Sequence, residues 1–263
     1  MAQGKAYWVD PRTANGLVQN LLDGLGERAD FIDSRTQLKD KKCVIKVDGQ
    51  KALPAGKADR RKVEAFMADF AKAQSDPGFF KVLDVARRIA GTGSLGVEHY
   101  AILVQGKGSP DGHYLLNLKA SFPSSLARHA VAKQHKWKSE AHRIVEVQRR
   151  LQAVPVAFLH PVFFGQQAYV LRELQASEDR VSLDSAKHGD IKNVIATMGH
   201  IVAWGQLRSA ARQGSAVADE LMDYAQGKKW QSQLLASSQD LAKQTMLDAA
   251  TFASAYDEGA FQH

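Results

Sequence analysis

A glycine-rich segment between two strand-like stretches limits the folds open to this chain more than any other feature. Residues Ile89–Val97 contain the pattern Gly-x-Gly-x-x-Gly. Dinucleotide-binding folds and kinase-like folds both use this pattern to bring backbone amides close to phosphates, but a helix follows it in the former and a second strand in the latter. Here residues 97–104 alternate in polarity and lead into a glycine-rich turn over 105–112. The pattern therefore predicts strand, loop, strand.

Two charged residues stand where a kinase-like lobe needs them, a lysine on the third strand and a glutamate on the next helix. Lys119 ends an apolar stretch that begins at Tyr114, and Glu140 lies in the helix predicted next. Glu146, about two turns further along, is a second partner for the lysine. In such a lobe the phosphates would be covered by the loop residues Gly91, Thr92, Gly93, Ser94 and Gly96.

The stretch Tyr169–Leu174 stands where a kinase-like lobe presents the backbone edge that binds adenine. Backbone groups of Arg172, Glu173 and Leu174 are the predicted contacts. The same residues also fit a small sheet with a glycine-rich hairpin and no ligand. In that interpretation Lys119 is a strand-end charge and Glu140 an exposed helical residue, the common position of both residue types.

Apolar periodicity divides the chain into a mixed set of helices and strands, which predicts an α+β fold. Residues 1–79 are expected to form a helical extension, 80–175 a small antiparallel lobe with one long helix, and 176–263 a helical lobe. The predicted helices cover 11–28, 58–73, 138–151 and 191–212, with two more within 215–256. The predicted strands cover 43–47, 82–89, 97–104, 114–118, 154–164 and 167–171, the last two joined by a turn at Gly165-Gln166.

Four stretches taken together resemble the bacterial family called domain of unknown function 2252, which is related to the protein kinase-like superfamily. They are Asp84–Gly96, Leu116–Ala120, Val145–Gln152 and Tyr169–Leu174. The resemblance implies a nucleotide-binding kinase-like lobe with ATP and Mg²⁺ as cofactors. It implies no particular substrate, because the activity of the family is itself undefined.

The segments that would supply catalytic and metal-binding carboxylates are missing from their expected place. In the family, Gly-Asp-x-His and Asn-Asp-Phe-Asp stretches precede the glycine loop, and residues 1–90 contain neither. The chain is therefore expected to correspond to the C-terminal part of a family member and to be inactive alone. Three alternatives stay open: a truncated reading frame, a split gene whose partner chain supplies the missing segment, and a degenerate nucleotide binder. His188–Asn193 imitates a catalytic loop, but Asp190 is better interpreted as the N-cap of the following helix. No catalytic residue is assigned.

Charge and cysteine content narrow the classes of partner. The formal net charge is +7, which suits an anionic ligand such as a nucleotide or a solvated basic surface. The single cysteine, Cys43, cannot form an internal disulfide, and no apolar run reaches the roughly 18 residues of a membrane span. We therefore expect a cytoplasmic protein. His129, His135 and His142 match no zinc spacing, so no metal site is predicted.

Two rivals to nucleotide binding stay open at this point. The chain could be a non-catalytic interaction protein, or a split partner, that keeps the kinase-like fold without nucleotide. It could also bind nucleic acid, which is disfavoured because its aromatic residues lie in apolar strands and helices rather than among the lysines.

Overall fold

The fold contains two units, one ending at Ser209 and the other beginning at Ala210. The computed structural model describes residues 8–24, 28–91, 96–108, 112–131, 134–174 and 181–261. In chain order the first unit contains α1 (Gly16–Asp23), α2 (Arg28–Arg35), β1 (Thr36–Lys39), β2 (Lys42–Ile45), β3 (Ala52–Pro54), α3 (Lys57–Lys72), β4 (Val82–Arg88), β5 (His99–Val104), β6 (Tyr114–Ala120), α4 (Glu140–Leu151), β7 (His160–Phe164), β8 (Gln167–Glu173) and α5 (His188–Ser209). The second contains α6 (Ala218–Gln226) and α7 (Lys229–Asp257).

Six antiparallel strands form the main sheet, in the order β3-β4-β5-β6-β8-β7. All six residues of β5 are buried, because this strand lies inside the sheet and both of its faces are covered. Neighbouring strands are joined in three places by short connections: β4 to β5, β5 to β6 and β7 to β8. The last of these turns is at Gly165, where φ is +65°, a backbone conformation that glycine adopts without strain.

One face of the sheet packs against α3. Side chains of alternate strand residues, including Ile102 and Leu116, meet Val63 and Met67 of the helix, and all four are fully buried. The two helical residues are four positions apart and so lie on the same side of α3. We call this side of the sheet the α3 face.

The opposite side, the α4 face, is covered from its two ends by different elements. Leu103 and Leu115 pack with Phe31 of α2 and Ile45 of β2 at one end. At the other end, buried residues of α4 pack against β8, in a cluster that includes Ala141, Val145, Ala168 and Val170. The strand residues between these two clusters are polar, and they form the site described below.

Much of the predicted secondary structure is confirmed, and three strand features differ. The strand predicted over 43–47 is present as β2. Its hairpin partner β1 and the edge strand β3 lie in the part of residues 1–79 where no strand was predicted. The strand expected over 154–164 begins only at His160. The chain divides into its two units between residues 209 and 210, and the domain divisions expected at 79/80 and 175/176 stay predictions. Residues 1–79 contribute to the sheet because β3 pairs with β4.

The long helix α5 corrects one prediction about Asp190. The helix begins at His188, so Asp190 lies in its first turn and is not its N-cap. Near its other end, α5 packs on α4: Gly205 is buried against Leu151, whose carbonyl oxygen accepts a hydrogen bond of 2.9 Å from Nε of Arg208. Within the described ranges, no helix has the length and hydropathy needed to cross a membrane.

Candidate functional site

The glycine-rich segment connects two antiparallel neighbours, β4 and β5, as the strand, loop, strand prediction required. Gly91, three residues after the end of β4, has φ +70°, and Gly96, three before β5, has φ +73°. Among the described residues, no atom beyond the adjoining residues lies within 4 Å of the position that a β-carbon would occupy at either glycine. Thr92, Gly93 and Ser94 lie outside the described residues. The sharp change of direction at both ends of the loop explains the need for glycine there.

Three basic residues from three strands lie on the α4 face of the sheet. Lys119 of β6 is paired in register with His99 of β5, and Arg172 of β8 with Asn117 of β6. Arg88 ends β4 on the other side of β5. Burial lowers the pKa of Lys119, and the positive charges of Arg172 and Arg88 lower it further. The cations are therefore close enough to repel one another.

A buried histidine and asparagine lie within this group of cations. Nε2 of His99 is hydrogen-bonded to Oδ1 of Asn117, which also accepts a bond of 3.0 Å from Nη1 of Arg88. The asparagine oxygen only accepts, so Nε2 of the imidazole carries the proton. Nδ1 of His99 is buried and has no hydrogen-bond partner among the described residues.

Burial is the main reason that His99 resists protonation. It lowers the pKa of the imidazole to about 4, with a smaller contribution from the charges of Arg88, Lys119 and Arg172, while the bond to Asn117 acts in the opposite direction. His99 is therefore neutral at pH 7. The sequence analysis missed His99, Asn117 and Arg88. Their strand positions carried the signal, since Asn117 is two residues before Lys119 and so shares its face.

A cavity of about 520 Å³ lies between this polar strip and α4. Asn117, Lys119 and Arg172 line it from the sheet, and Ile144 and Gln148 line it from the helix. Val97, the residue after Gly96, also lines the cavity. The structure thus brings the end of the glycine loop, the predicted lysine and the predicted Arg172 to one place, and no carboxylate is among the described residues that line it.

The predicted glutamate is not among the residues that line this cavity, and it has a local partner. Glu140 is one turn before Ile144 and therefore on the same side of α4. Its Oε2 accepts a hydrogen bond of 2.6 Å from Nε of Arg143. Glu146, the alternative, pairs with Arg149 at 3.2 Å. An ion pair of Glu140 with Lys119 stays a prediction, and it would require the carboxylate to change partner.

The predicted adenine-binding edge is part of the sheet. The amide of Glu173 donates to the carbonyl oxygen of Ala157, and the amide of Leu174 donates to that of Leu115, each at 2.8 Å. These two amides are therefore already paired within the protein. Arg172 reaches the cavity with its side chain instead.

The donor set of the cavity does not fit a metal held by the protein. Mg²⁺ prefers carboxylate and other oxygen ligands, and the described residues that line the cavity include no carboxylate. Across the described ranges, no three or more histidine, cysteine, aspartate or glutamate side chains form a group that could hold a metal ion. The implied Mg²⁺ therefore has no protein cage within this part of the chain.

Comparison with known families gives one match. Residues 9–255 match DUF2252, a family described as an uncharacterized protein conserved in bacteria. The chain belongs to this family. No curated protein matches it, and no solved structure does. Because the DUF2252 match covers nearly the whole chain, it includes the glycine loop, the basic residues of the sheet and α4 together.

Proposed function

We propose that this DUF2252 chain is a nucleotide-binding module of kinase-like architecture that holds phosphate groups in the cavity between the sheet and α4. One observation supports it above the others: Lys119 and Arg172 project from adjacent strands into a cavity that the glycine loop reaches at Val97. Arg88 adds a third positive charge within electrostatic range of Lys119. A polyphosphate is the common cellular ligand that carries several negative charges in a compact volume.

The electrostatics favour an anion there. Without one, burial and mutual repulsion both act against the charged form of Lys119. A phosphate placed between Lys119 and Arg172 would reverse the sign of the local interaction and form charge-assisted hydrogen bonds, which are stronger than neutral ones. In this proposal amides of the Gly91–Gly96 loop cover the phosphates, and Glu140 exchanges Arg143 for Lys119 when nucleotide binds.

The proposal stops at binding. No carboxylate lines the cavity among the described residues, so no residue is assigned as the base for an acceptor hydroxyl, and no step is routed through Mg²⁺. Phosphoryl transfer would need carboxylates from a partner chain or from a site that is not identified in this sequence. The cytoplasm, where nucleotides are abundant, is the location that this function requires.

Titration with ATP tests the proposal on the full chain. At about a hundred times Kd, a ligand adds roughly 2.7 kcal/mol to the free energy of unfolding, which thermal unfolding and calorimetry both detect. Lys119→Met keeps the aliphatic stem and removes the charge, so its affinity should fall about tenfold or more. The matched control is Lys72→Met, because Lys72 is exposed on α3 and pairs with Asp69.

Comparison of three ligands separates the contributions to binding. Tripolyphosphate should compete with ATP, because the basic residues recognise phosphate, while adenosine should bind much more weakly. A folded wild-type protein that binds neither ATP nor tripolyphosphate would refute the proposal. Equal affinities of wild type and Lys119→Met would refute the assignment of the lysine.

The second candidate is a non-catalytic interaction protein, and one observation favours it. No residue of α7 is buried, and it carries exposed apolar side chains, including Leu241, Met246 and Phe252 at 60% exposure or more. A face of this kind is typical of a surface that contacts another protein. Sedimentation over a range of concentrations tests self-association, and Met246→Glu should weaken any complex that uses this helix.

A further inference from the structure

A second and larger cavity lies on the α3 face, on the other side of the sheet from the phosphate cavity. Its volume is about 970 Å³, and residues of α3 and of the β7–β8 hairpin form most of its lining. Tyr169 lines this cavity, whereas Val170 lines the phosphate cavity. Successive residues of a strand point to opposite faces, so the two cavities are separate sites.

Four aromatic rings form one wall of this cavity. The ring of Phe164 lies at the end of β7, with its centroid 5.4 Å from that of Tyr169 and 5.5 Å from that of Phe66 on α3. Tyr100 of β5 is 6.3 Å away by the same measure. These distances are typical of packed aromatic pairs. The cluster is held by four different elements, α3, β5, β7 and β8, so it is a built surface and not one exposed side chain.

Two carboxylates lie next to the aromatic wall. Glu98 accepts a hydrogen bond from the hydroxyl of Tyr169. Burial is the main reason that the pKa values of Tyr100 and Tyr169 are raised, and the negative charges of Glu98 and Asp59 raise both of them further. Both carboxylates are therefore within electrostatic range of both phenol groups.

The charge of this cavity is opposite to that of the whole chain. Its ionisable lining consists of three carboxylates, on Asp59, Asp69 and Glu98, and the amine of Lys62. Lys72 pairs with Asp69 at 2.7 Å, so the three carboxylates are balanced by two amines and the net charge is −1. The chain as a whole carries +7. A negative potential over aromatic faces repels phosphates and attracts cations, whose interaction with the π-electrons of a ring adds to the attraction of the carboxylates.

We propose that this cavity binds an organic cation with an apolar body, of the class of quaternary ammonium ions and protonated aromatic amines. The partly exposed rings of Phe66 and Phe164 contact the apolar part and the cationic head, the buried ring of Tyr169 packs against that of Phe164, and Glu98 and Asp59 neutralise the charge. The site is independent of nucleotide binding, because it lies across the sheet and has the opposite charge.

Calorimetric titration of the full chain with benzyltrimethylammonium tests the site. Benzenesulfonate, which has the same ring and a negative charge, should bind at least about tenfold more weakly. Glu98→Gln keeps an acceptor for the hydroxyl of Tyr169 and removes the charge, and Phe164→Leu keeps an apolar side chain and removes the ring. Each should lower the affinity for the cation about tenfold, with thermal unfolding used to confirm that both variants are folded.

Two controls separate this site from the rest of the molecule. Glu146→Gln removes a carboxylate from α4 and should leave the affinity unchanged. Lys119→Met should also bind the cation as wild type does, whether or not it binds ATP. The proposal is overturned if folded wild type binds no benzyltrimethylammonium, if benzenesulfonate binds equally well, or if Glu98→Gln binds the cation with unchanged affinity.

Discussion

Acidification should destabilise this protein through His99. The imidazole is 5% exposed, and its pKa in the folded chain is about 4, against an ordinary value of 6.5. The unfolded chain therefore takes up a proton at a pH where the folded chain does not. The free energy of unfolding therefore decreases as the pH falls. The contribution of His99 to stability is fully present above about pH 6.5, decreases between pH 6.5 and 4, and is lost below pH 4.

The size of the effect follows from the difference between the two pKa values. Each unit of pKa corresponds to about 1.4 kcal/mol, so the full loss below pH 4 is about 3 kcal/mol. Between pH 7.5 and pH 5 the loss is about 2 kcal/mol. This is a substantial part of the roughly 5–15 kcal/mol that stabilises a typical protein.

Urea unfolding of wild type and His99→Gln at a series of pH values measures this contribution. The glutamine amide can still donate to Asn117 but does not titrate, so the variant should lack that part of the pH dependence. His160, whose pKa burial also lowers, contributes to both proteins and cancels in the difference. If the two proteins lose stability equally between pH 7.5 and 5, or if NMR shows His99 titrating near 6.5, the argument from burial is wrong.

Three further substitutions, with one control substitution, test the packing that supports the two sites. Gly106→Ala should lower the free energy of unfolding by about 3 kcal/mol or more in chemical denaturation, because its β-carbon would lie 2.0 Å from the carbonyl oxygen of Gly112. The control is Gly49→Ala, which is also at positive φ but has no described atom within 4 Å of its β-carbon position, and it should lower the free energy of unfolding by about 1 kcal/mol. Equal losses in the two variants would contradict this reasoning. Asp84→Ala should lower the free energy of unfolding by about 3 kcal/mol or more, because this buried carboxylate accepts hydrogen bonds from the amide of Ile45 in β2 and from the guanidinium of Arg60 in α3. A urea midpoint unchanged from wild type would refute this stabilising role of Asp84. Leu116→Ala, at a fully buried position in β6, should cost about 2–5 kcal/mol by the same measurement, and a cost below about 1 would mean that the sheet core repacks freely.

Local pattern was sufficient to predict most of the sheet. The apolar alternation of β4, β5 and β6, the turn at Gly165-Gln166 and the apolar stripe of α3 are short-range signals, and each is present in the structure. The strand β3 was missed because it has only three residues, Ala52–Pro54, and is a strand solely because it pairs with β4. A pattern over a few neighbouring residues contains no information about a pairing strand some thirty residues away.

The same distinction holds for the candidate site. The alternation within β6 determined that Asn117 and Lys119 share a face. The apolar stretch that begins at Tyr114 predicted that Lys119 would lie at the end of a strand. The sequence alone could not determine that Arg88 and Arg172 lie beside it, because these residues are far apart in the chain and meet only through the strand order β4-β5-β6-β8. Nor could it show that Glu140 pairs with Arg143, since a local contact and a distant one compete for the same carboxylate. The strand order decided the first, because electrostatic contacts depend on distance in space and not along the chain, whereas the second is a contact between residues three apart on α4.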